Sequence, residues 1–245
     1  MNNTSSATSN NRKVVHIGVF IPYGAQLLDT ACIDILASMS REYFSLVGDG
    51  MVPPGIYELA PSVEIFYISK VPPSSHPIPL TASMNILCTH HFSSPEVAPG
   101  KLDIVLVPGP DPKLDFEEDP AALSWLAGHA NNTASDNETK TTDILSVCSG
   151  IYLCGAAGIL KGKKACGPRG LQGNLRTRFE DQEVIWVGEE LRWMGDGNLW
   201  SSGGVTNGND LVAAYARQSR HFPGPVAELG LKFVEVDERP QRYED

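Results

Sequence analysis

Residues 143–160 read DILSVCSGIYLCGAAGIL and predict how the chain around them folds. An apolar strand at 143–147 leads into Cys148, and a Gly/Ala-rich helix is expected at 149–160, where small residues allow close packing on a sheet. This order predicts a nucleophile elbow, a turn that holds one side chain at the carboxyl edge of a parallel sheet. The first N–H groups and the dipole of the helix are expected to favour the thiolate. The pattern therefore predicts a reactive Cys148, and a buried structural thiol is the alternative.

Further strand and helix patterns alternate along the chain. The predicted elements are strands or extended pieces at 14–21, 44–48, 63–68, 85–89, 102–107 and 163–166, a hairpin-like pair at 184–187 and 199–202, helices at 28–38, 120–130, 171–179 and 210–221, a surface loop at 131–142, and a segment at 226–236 that is first helical and then extended. The alternation predicts an α/β fold of the flavodoxin-like, doubly wound type, with a mostly parallel sheet and helices on both faces. We expect a disordered tail at 1–12, a single domain at 13–236 and a C-terminal tail at 237–245.

Composition narrows the possible partners. The chain has 245 residues, is 42% hydrophobic and carries a formal net charge of −10, with no basic run that would suit nucleic acid. The apolar runs are strand-sized, so no membrane span is predicted. Residues 1–11 lack the features of a secretory signal, and the five cysteines are an odd number without a Cys-x-x-Cys pair. We expect a soluble, cytoplasmic protein with reduced thiols and no metal site.

Three segments follow predicted strands and should meet at one edge of the sheet: residues 23–29, residues 108–112 and Cys148. In doubly wound sheets the ligand cleft lies beyond the carboxyl ends of the strands. Asp29 lies at the start of a predicted helix, where an acid is commonly a cap. An acid beside a thiol has a second use, since a buried protonated carboxyl can donate to a thiolate and later pass on its proton. Both interpretations of Asp29 stay open at this point.

Four motifs carry a family resemblance. They are Leu-Leu-Asp at 27–29, Asp-Ile-Val-Leu-Val-Pro-Gly at 103–109, residues 146–162 around Cys148, and Ser-Gly-Gly-Val-Thr-Asn-Gly at 202–208. From about residue 15 to about residue 233 the chain resembles the ThiJ/PfpI superfamily, which is related to class I glutamine amidotransferases, and within it the isocyanide hydratases. The resemblance implies that Cys148 is the nucleophile, that Asp29 hydrogen-bonds it, and that Ser149 stands where those hydratases carry a threonine. It also implies a homodimer that needs no cofactor.

The sequence departs from the superfamily pattern at two positions. Many members have Pro-Gly-Gly where this chain has Pro-Gly-Pro at 108–110, and a proline has no N–H for an oxyanion hole, so that donor is lost or moves to Gly109 or Asp111. The usual histidine position is Pro168, so a Cys/His dyad has no partner there, which argues against protease and amidotransferase chemistry. None of the six histidines lies in a recognisable motif, which favours surface or structural roles, and His91 is the one to compare with the cleft. Cys166 and Arg169 replace residues that flank the nucleophile, and Arg169 could orient an anionic group of a small-molecule substrate.

Three classes of function remain after this reading. The first is a cofactor-free lyase or hydratase that uses Cys148 and Asp29 on a small electrophilic metabolite, as the isocyanide hydratases do. The second is glyoxalase- or deglycase-like activity on small dicarbonyls, through a hemithioacetal of the same thiol. The third is a thiol sensor or binding protein in which Cys148 is oxidised rather than turned over.

Overall fold

A seven-stranded sheet forms the centre of the computed structural model, which describes residues 13–48, 50–131 and 141–244. The strands of this part of the chain are β1 (Val14–Phe20), β2 (Ser62–Ser69), β3 (Ile78–Pro79), β4 (Asn85–Ile86), β5 (His90–His91), β6 (Ile104–Val107), β7 (Asp143–Ser146), β8 (Lys164–Ala165), β9 (Ile185–Trp186), β10 (Trp193–Asp196) and β11 (Leu199–Ser202). The helices are α1 (Leu27–Ala31), α2 (Ile33–Ala37), α3 (Arg41–Val47), α4 (Pro54–Leu59), α5 (Pro120–Ala130), α6 (Gly150–Ala156), α7 (Gln172–Arg178), α8 (Asn207–Gln218) and α9 (Gly224–Phe233).

The sheet has the order β10-β11-β7-β6-β1-β2-β5, and its pairings are parallel except that of β10 with β11. Apolar side chains leave both faces of β1: Val15, Ile17 and Val19 enter a core shared with α2, α8 and α9, whereas Phe20 enters a second core shared with α5 and α6. Burial of both faces explains why the strands are nearly continuous apolar runs. The predicted α/β fold, with a mostly parallel sheet and helices on both faces, is confirmed.

The position of the cleft follows from the strand order. β1 pairs with β2 on one side and with β6 on the other, so the strand order reverses at β1. In doubly wound sheets, ligand clefts lie beyond the carboxyl ends of the strands at such a reversal. The turns that follow β1, β6 and β7 therefore meet at one edge.

Two local predictions in the first fifty residues are wrong. Residues 44–48, predicted as a strand, belong mostly to helix α3, which Ser40 caps by accepting a hydrogen bond from the Tyr43 N–H at 3.0 Å. A short apolar run cannot by itself distinguish a strand from a helix, and the cap decides it here. The helix predicted at 28–38 is two short helices, α1 and α2, which meet at Cys32, whose thiol donates to the Asp29 carbonyl at 3.0 Å.

The hairpin predicted from residues 184–187 and 199–202 does not form. β9 pairs in parallel with β8, and β11 instead forms its hairpin with β10, through a turn in which Gly197 has a φ of +63°. β10 carries a tryptophan, a methionine, a glycine and an aspartate, a mixed pattern that gives little sign of a strand.

The two ends of the chain are described unequally. The tail predicted at 1–12 lies outside the described residues. The tail predicted at 237–245 contacts the domain as far as it is described, since Arg239 pairs with Asp210 at 3.2 Å and the Tyr243 N–H donates to the Glu190 carbonyl at 2.9 Å. Among the described helices, none is both long and apolar enough to cross a bilayer.

Candidate active site

Cys148 lies on the tight turn between β7 and α6. Its φ is +56°, a left-handed conformation that non-glycine residues rarely adopt and that marks sites where the surrounding structure imposes strain. Its N–H donates to the Gly203 carbonyl at 3.2 Å. Gly150 follows the turn because a Cβ at this position would collide with the Val107 carbonyl oxygen. The predicted elbow is present, and Cys148 is the one described cysteine that is not buried.

Asp29, Gly109 and Ser149 form one contiguous polar cluster beside the thiol. The fully buried Asp29 carboxyl accepts the Gly109 N–H through Oδ2 at 3.1 Å. A Cβ on Gly109 would lie 2.6 Å from that Oδ2 and 2.5 Å from Ser149 Oγ, so only glycine fits between the two side chains. Asp29 accepts a hydrogen bond from outside its helix rather than capping α1, which makes no side-chain cap bond. The geometry therefore favours the interpretation of Asp29 as the acid that acts on Cys148 over its interpretation as a helix cap.

Burial dominates the acid–base properties of this pair. It raises the pKa of Asp29 to about 6, against the opposing effects of the Gly109 N–H and the Cys148 thiol. Burial also raises the pKa of the Cys148 thiol, and the nearby Asp29 charge raises it further. The N–H groups of Val205 and Ser149 and the Ser149 hydroxyl lower it only in part. Burial therefore opposes the thiolate that the elbow is predicted to favour, and it leaves the pKa of the thiol above its usual value.

A cleft of about 430 Å³ opens over Cys148 and Ser149. It is lined by Tyr23, Gly24, Ala25, Gln26, Pro79, Leu80, Thr81, Gly109, Pro110, Asp111, Pro112, Cys148 and Ser149. The turns after β1, β6 and β7 supply most of these residues, as the strand order requires. Residues 79–81 were not predicted as part of the cleft, because their position depends on long-range bonds such as that from the Leu27 N–H to Thr81 Oγ1 at 2.9 Å.

Two backbone N–H groups beside the nucleophile, those of Gly109 and Cys148, are committed to other partners. The Gly109 N–H holds Asp29, and Pro110 has no N–H, so its carbonyl instead accepts the Ser149 hydroxyl at 2.6 Å. The Cys148 N–H is bonded to Gly203. An oxyanion hole made from Gly109 or from the N–H of the nucleophile would require these bonds to break.

The other predicted site residues are divided between the cleft and its surroundings. Asp111 is exposed and lines the cleft, where its Oδ1 accepts the Lys113 N–H at 3.0 Å. Cys166 is fully buried, and the Arg169 guanidinium lies 4.7 Å from the centre of the Tyr243 ring. Neither residue is part of the cleft lining, so the structure does not bring them together with Cys148 in one pocket.

None of the residues lining the cleft is a histidine. His91, the histidine singled out from the sequence, contacts Ser93 Oγ through Nδ1 at 2.7 Å and stacks on Phe92. The Pro168 position is likewise without an imidazole. In the part of the chain that the structure describes, no group of three or more His, Cys, Asp or Glu side chains is arranged to hold a metal ion.

Known proteins resemble the chain in both sequence and structure. An isonitrile hydratase of Pseudomonas putida is 29% identical over 117 residues, which make up 48% of this chain and 45% of the relative, so the match spans about half of either protein. A ThiJ/PfpI family protein from Pseudomonas syringae superposes with a TM-score of 0.66 at 22% identity, over 98% of this chain and 83% of that one. Drosophila melanogaster DJ-1beta superposes with a TM-score of 0.65 at 14% identity, over 91% and 99% respectively.

No family model matches the chain. The solved structures are too distant in sequence to show more than the fold, and they agree with the sequence motifs on that fold. The resemblance to the ThiJ/PfpI superfamily is thereby confirmed: the chain has the fold of these proteins, and about half of it is similar in sequence to an isonitrile hydratase.

Proposed function

We propose that this protein is a cofactor-free isocyanide hydratase, in which Cys148 is the nucleophile and Asp29 moves the protons. The proposal is supported by the similarity to an isonitrile hydratase over 48% of the chain. It rests above all on one observation, the fully buried Asp29 carboxyl that lies beside the Cys148 thiol and accepts the Gly109 N–H.

The distribution of donors suits an isocyanide better than a carbonyl. When a thiolate adds to a carbonyl, negative charge develops on oxygen, and preorganised N–H groups stabilise it. When a thiolate adds to the terminal carbon of R–N≡C, charge develops on that carbon, which needs a proton rather than an oxyanion hole. Asp29, with its pKa raised to about 6, is a suitable proton carrier near neutral pH.

Each step of the proposed reaction balances. Cys148 Sγ forms a C–S bond with the isocyanide carbon, and the proton that the Cys148–Asp29 pair held goes to the same carbon, giving the thioimidate Cys–S–CH=N–R. Water then adds to this carbon while Asp29 takes a proton from the water and passes it to nitrogen. The C–S bond breaks, sulfur regains its proton, and the formamide R–NH–CHO leaves. The net change is addition of one water molecule, without oxidant or reductant.

The walls of the cleft indicate which R group is accepted. The Tyr23 ring, Leu80 and three prolines form apolar surface, and Asp111 is the one charged residue in the lining. With no cation in the lining to bind an anion, a carboxylated substituent would meet a carboxylate without compensation. We therefore expect uncharged isocyanides with aliphatic or aromatic substituents to be better substrates than anionic ones.

The other two function classes have less support. A dicarbonyl would place its developing charge on oxygen, where the Gly109 and Cys148 N–H groups are already engaged. A thiol sensor has no use for the buried carboxyl beside Cys148, whereas the hydratase needs that carboxyl to move protons.

The direct test is turnover followed by NMR. The parent protein is incubated with a panel of aliphatic, aromatic and carboxylated isocyanides and with methylglyoxal, and formamide and lactate are measured. We expect formamide from the uncharged isocyanides and none from a Cys148→Ser variant. Cys88→Ser is the matched control, since the Cys88 thiol donates to the Val71 carbonyl at 3.3 Å and lies outside the cleft lining. Lactate without formamide would replace the proposal by the glyoxalase class, and absence of both products would refute it.

A further inference from the structure

The C-terminal segment packs against the loop that contacts the nucleophile turn. We call residues 239–243 the C-terminal strap. The strap runs antiparallel to the chain before β10: the Arg192 N–H donates to the Gln241 carbonyl at 2.8 Å, and the Tyr243 N–H donates to the Glu190 carbonyl at 2.9 Å. The Gln241 side chain adds a bond to the Trp193 carbonyl at 2.8 Å. The strap is therefore attached through its backbone and not only through exposed side chains.

Within the strap, the Tyr243 side chain contacts the interior of the domain. Two guanidinium groups lie over its ring, with Arg192 Cζ at 4.5 Å and Arg169 Cζ at 4.7 Å from the ring centre. Cations over an aromatic ring help to hold it in position. Its hydroxyl accepts a hydrogen bond from Asn207 Nδ2 at 2.5 Å. The Arg169 guanidinium therefore contacts the Tyr243 ring instead of lining the cleft.

The Tyr243–Asn207 pair lies flat against Gly203. A Cβ on Gly203 would be 2.7 Å from Asn207 Nδ2 and 2.8 Å from Tyr243 Oη, so the two polar groups occupy the place of a side chain. Gly203 is the residue whose carbonyl accepts the Cys148 N–H at 3.2 Å. Two residues further, the Val205 N–H lies close enough to the sulfur to lower the pKa of Cys148.

We propose that Tyr243 is a positioning residue for Cys148, which acts through Asn207 and the loop at 203–206. In this arrangement the Tyr243 hydroxyl fixes the Asn207 side chain, and the two groups together pack against Gly203. The loop then places the Gly203 carbonyl at the Cys148 N–H and the Val205 N–H at the Cys148 sulfur. The backbone strain at Cys148 needs such support, because a left-handed cysteine persists only where its surroundings hold it.

The test uses thiol chemistry, so it does not depend on the proposed hydratase activity. The parent and a Tyr243→Phe variant are alkylated with iodoacetamide from pH 6 to pH 10, and modification of Cys148 is followed by peptide mass spectrometry. The variant keeps the ring and both guanidinium contacts and loses only the acceptor of the Asn207 bond. We expect alkylation at pH 7 to slow by about threefold to tenfold, with its pH midpoint moved upward, because the Val205 N–H is held less firmly.

Arg242→Ala is the matched control within the strap, since it removes only an exposed ion pair with Glu190. It should leave both the rate and the midpoint unchanged. A folded Tyr243→Phe protein with the parent rate and midpoint, or with faster alkylation, would overturn the proposal even if its melting temperature fell. A Tyr243→Ala variant should show a larger slowing, and parent-like alkylation in that folded variant would also contradict the role. If the parent hydrates isocyanides, kcat should fall in the same order; if it does not, the alkylation result stands alone.

Discussion

At the scale of single residues, the site is defined by which groups are kept from water. Asp29 is fully buried, and the polar groups that act on its pKa are the Gly109 N–H and the Cys148 thiol. The N–H lowers the pKa of the carboxyl only partly, so the group retains a proton in a range where exposed aspartates have lost theirs. One proton shared by an acid and a thiol is a useful resource for a reaction that must deliver a proton to carbon.

An Asp29→Asn variant separates stability from activity. The folded protein raises the pKa of Asp29 from 3.8 to about 6, so the folded state binds its proton more tightly than the unfolded state does. The carboxyl therefore destabilises the fold as pH rises from 4 through 6, and above that range by at most about 3 kcal/mol. Asparagine removes this cost, and we expect a higher melting temperature than the parent at pH 8 and little difference at pH 4. Equal pH dependence of the two proteins, measured by calorimetry, would contradict this account.

The same variant should lose turnover. Removal of a general acid–base commonly costs about 10²- to 10⁴-fold, and we expect kcat/KM for an isocyanide to fall within that range. In the parent, kcat/KM should rise through a limb near pH 6, as the pair reaches the form that holds one proton, and this limb should be missing from the residual activity of the variant.

At the scale of the element, the sequence predicted the central strands better than their surroundings. Strand β6 was located correctly because it is a continuous run of buried apolar residues. Helix α5 was located correctly because residues next to it in sequence begin it: Asp119 accepts the Ala122 N–H at 3.2 Å, and Pro120 is the first helical residue. The predicted strand at 44–48 was wrong because a run of five apolar or small residues is compatible with either a strand or a helix. The same contrast holds in the site. Cys148 and Asp29 could be predicted because they lie in recognisable local motifs. Residues 79–81 and Tyr243 reach their places only through contacts distant in sequence.

Close packing at the elbow predicts an asymmetry between two glycines. A Cβ at Gly150 would strike the Val107 carbonyl oxygen, a backbone atom that cannot move without disturbing β6. We expect Gly150→Ala to cost about 2–3 kcal/mol of unfolding free energy and to displace Cys148. Gly173→Ala is the control, since a Cβ there meets nothing within 4 Å and alanine favours the helix by about 0.5 kcal/mol. Urea denaturation should give opposite signs for the two, and a neutral Gly150→Ala would show that the turn relaxes.

At the scale of the whole molecule, the two edges of the parallel sheet have different roles. The carboxyl edge carries Cys148, its partner acid and the cleft. The amino edge carries Asp103 and Asp143, which lie at the starts of β6 and β7, and buried His221 lies between them. His221 Nδ1 is 3.5 Å from Asp103 Oδ1, and Nε2 is 3.4 Å from Asp143 Oδ2. The imidazole thus connects the segment between α8 and α9 to both central strands.

Because the two edges are separate, we expect a substitution at the amino edge to lower the free energy of unfolding without changing the reactivity of Cys148 at the carboxyl edge. His221→Leu would replace a buried imidazole that lies within 3.5 Å of both carboxyl groups by an apolar side chain, and we expect a loss of about 3 kcal/mol, or about 6–12 °C in melting temperature. The exposed His76 is the control, because His76→Leu should change stability by less than about 0.5 kcal/mol. Below its melting temperature, the His221 variant should alkylate at Cys148 and turn over isocyanides at parent rates, since a strand length separates the two edges. A parallel fall in stability and in Cys148 reactivity would instead show that the sheet transmits strain from one edge to the other.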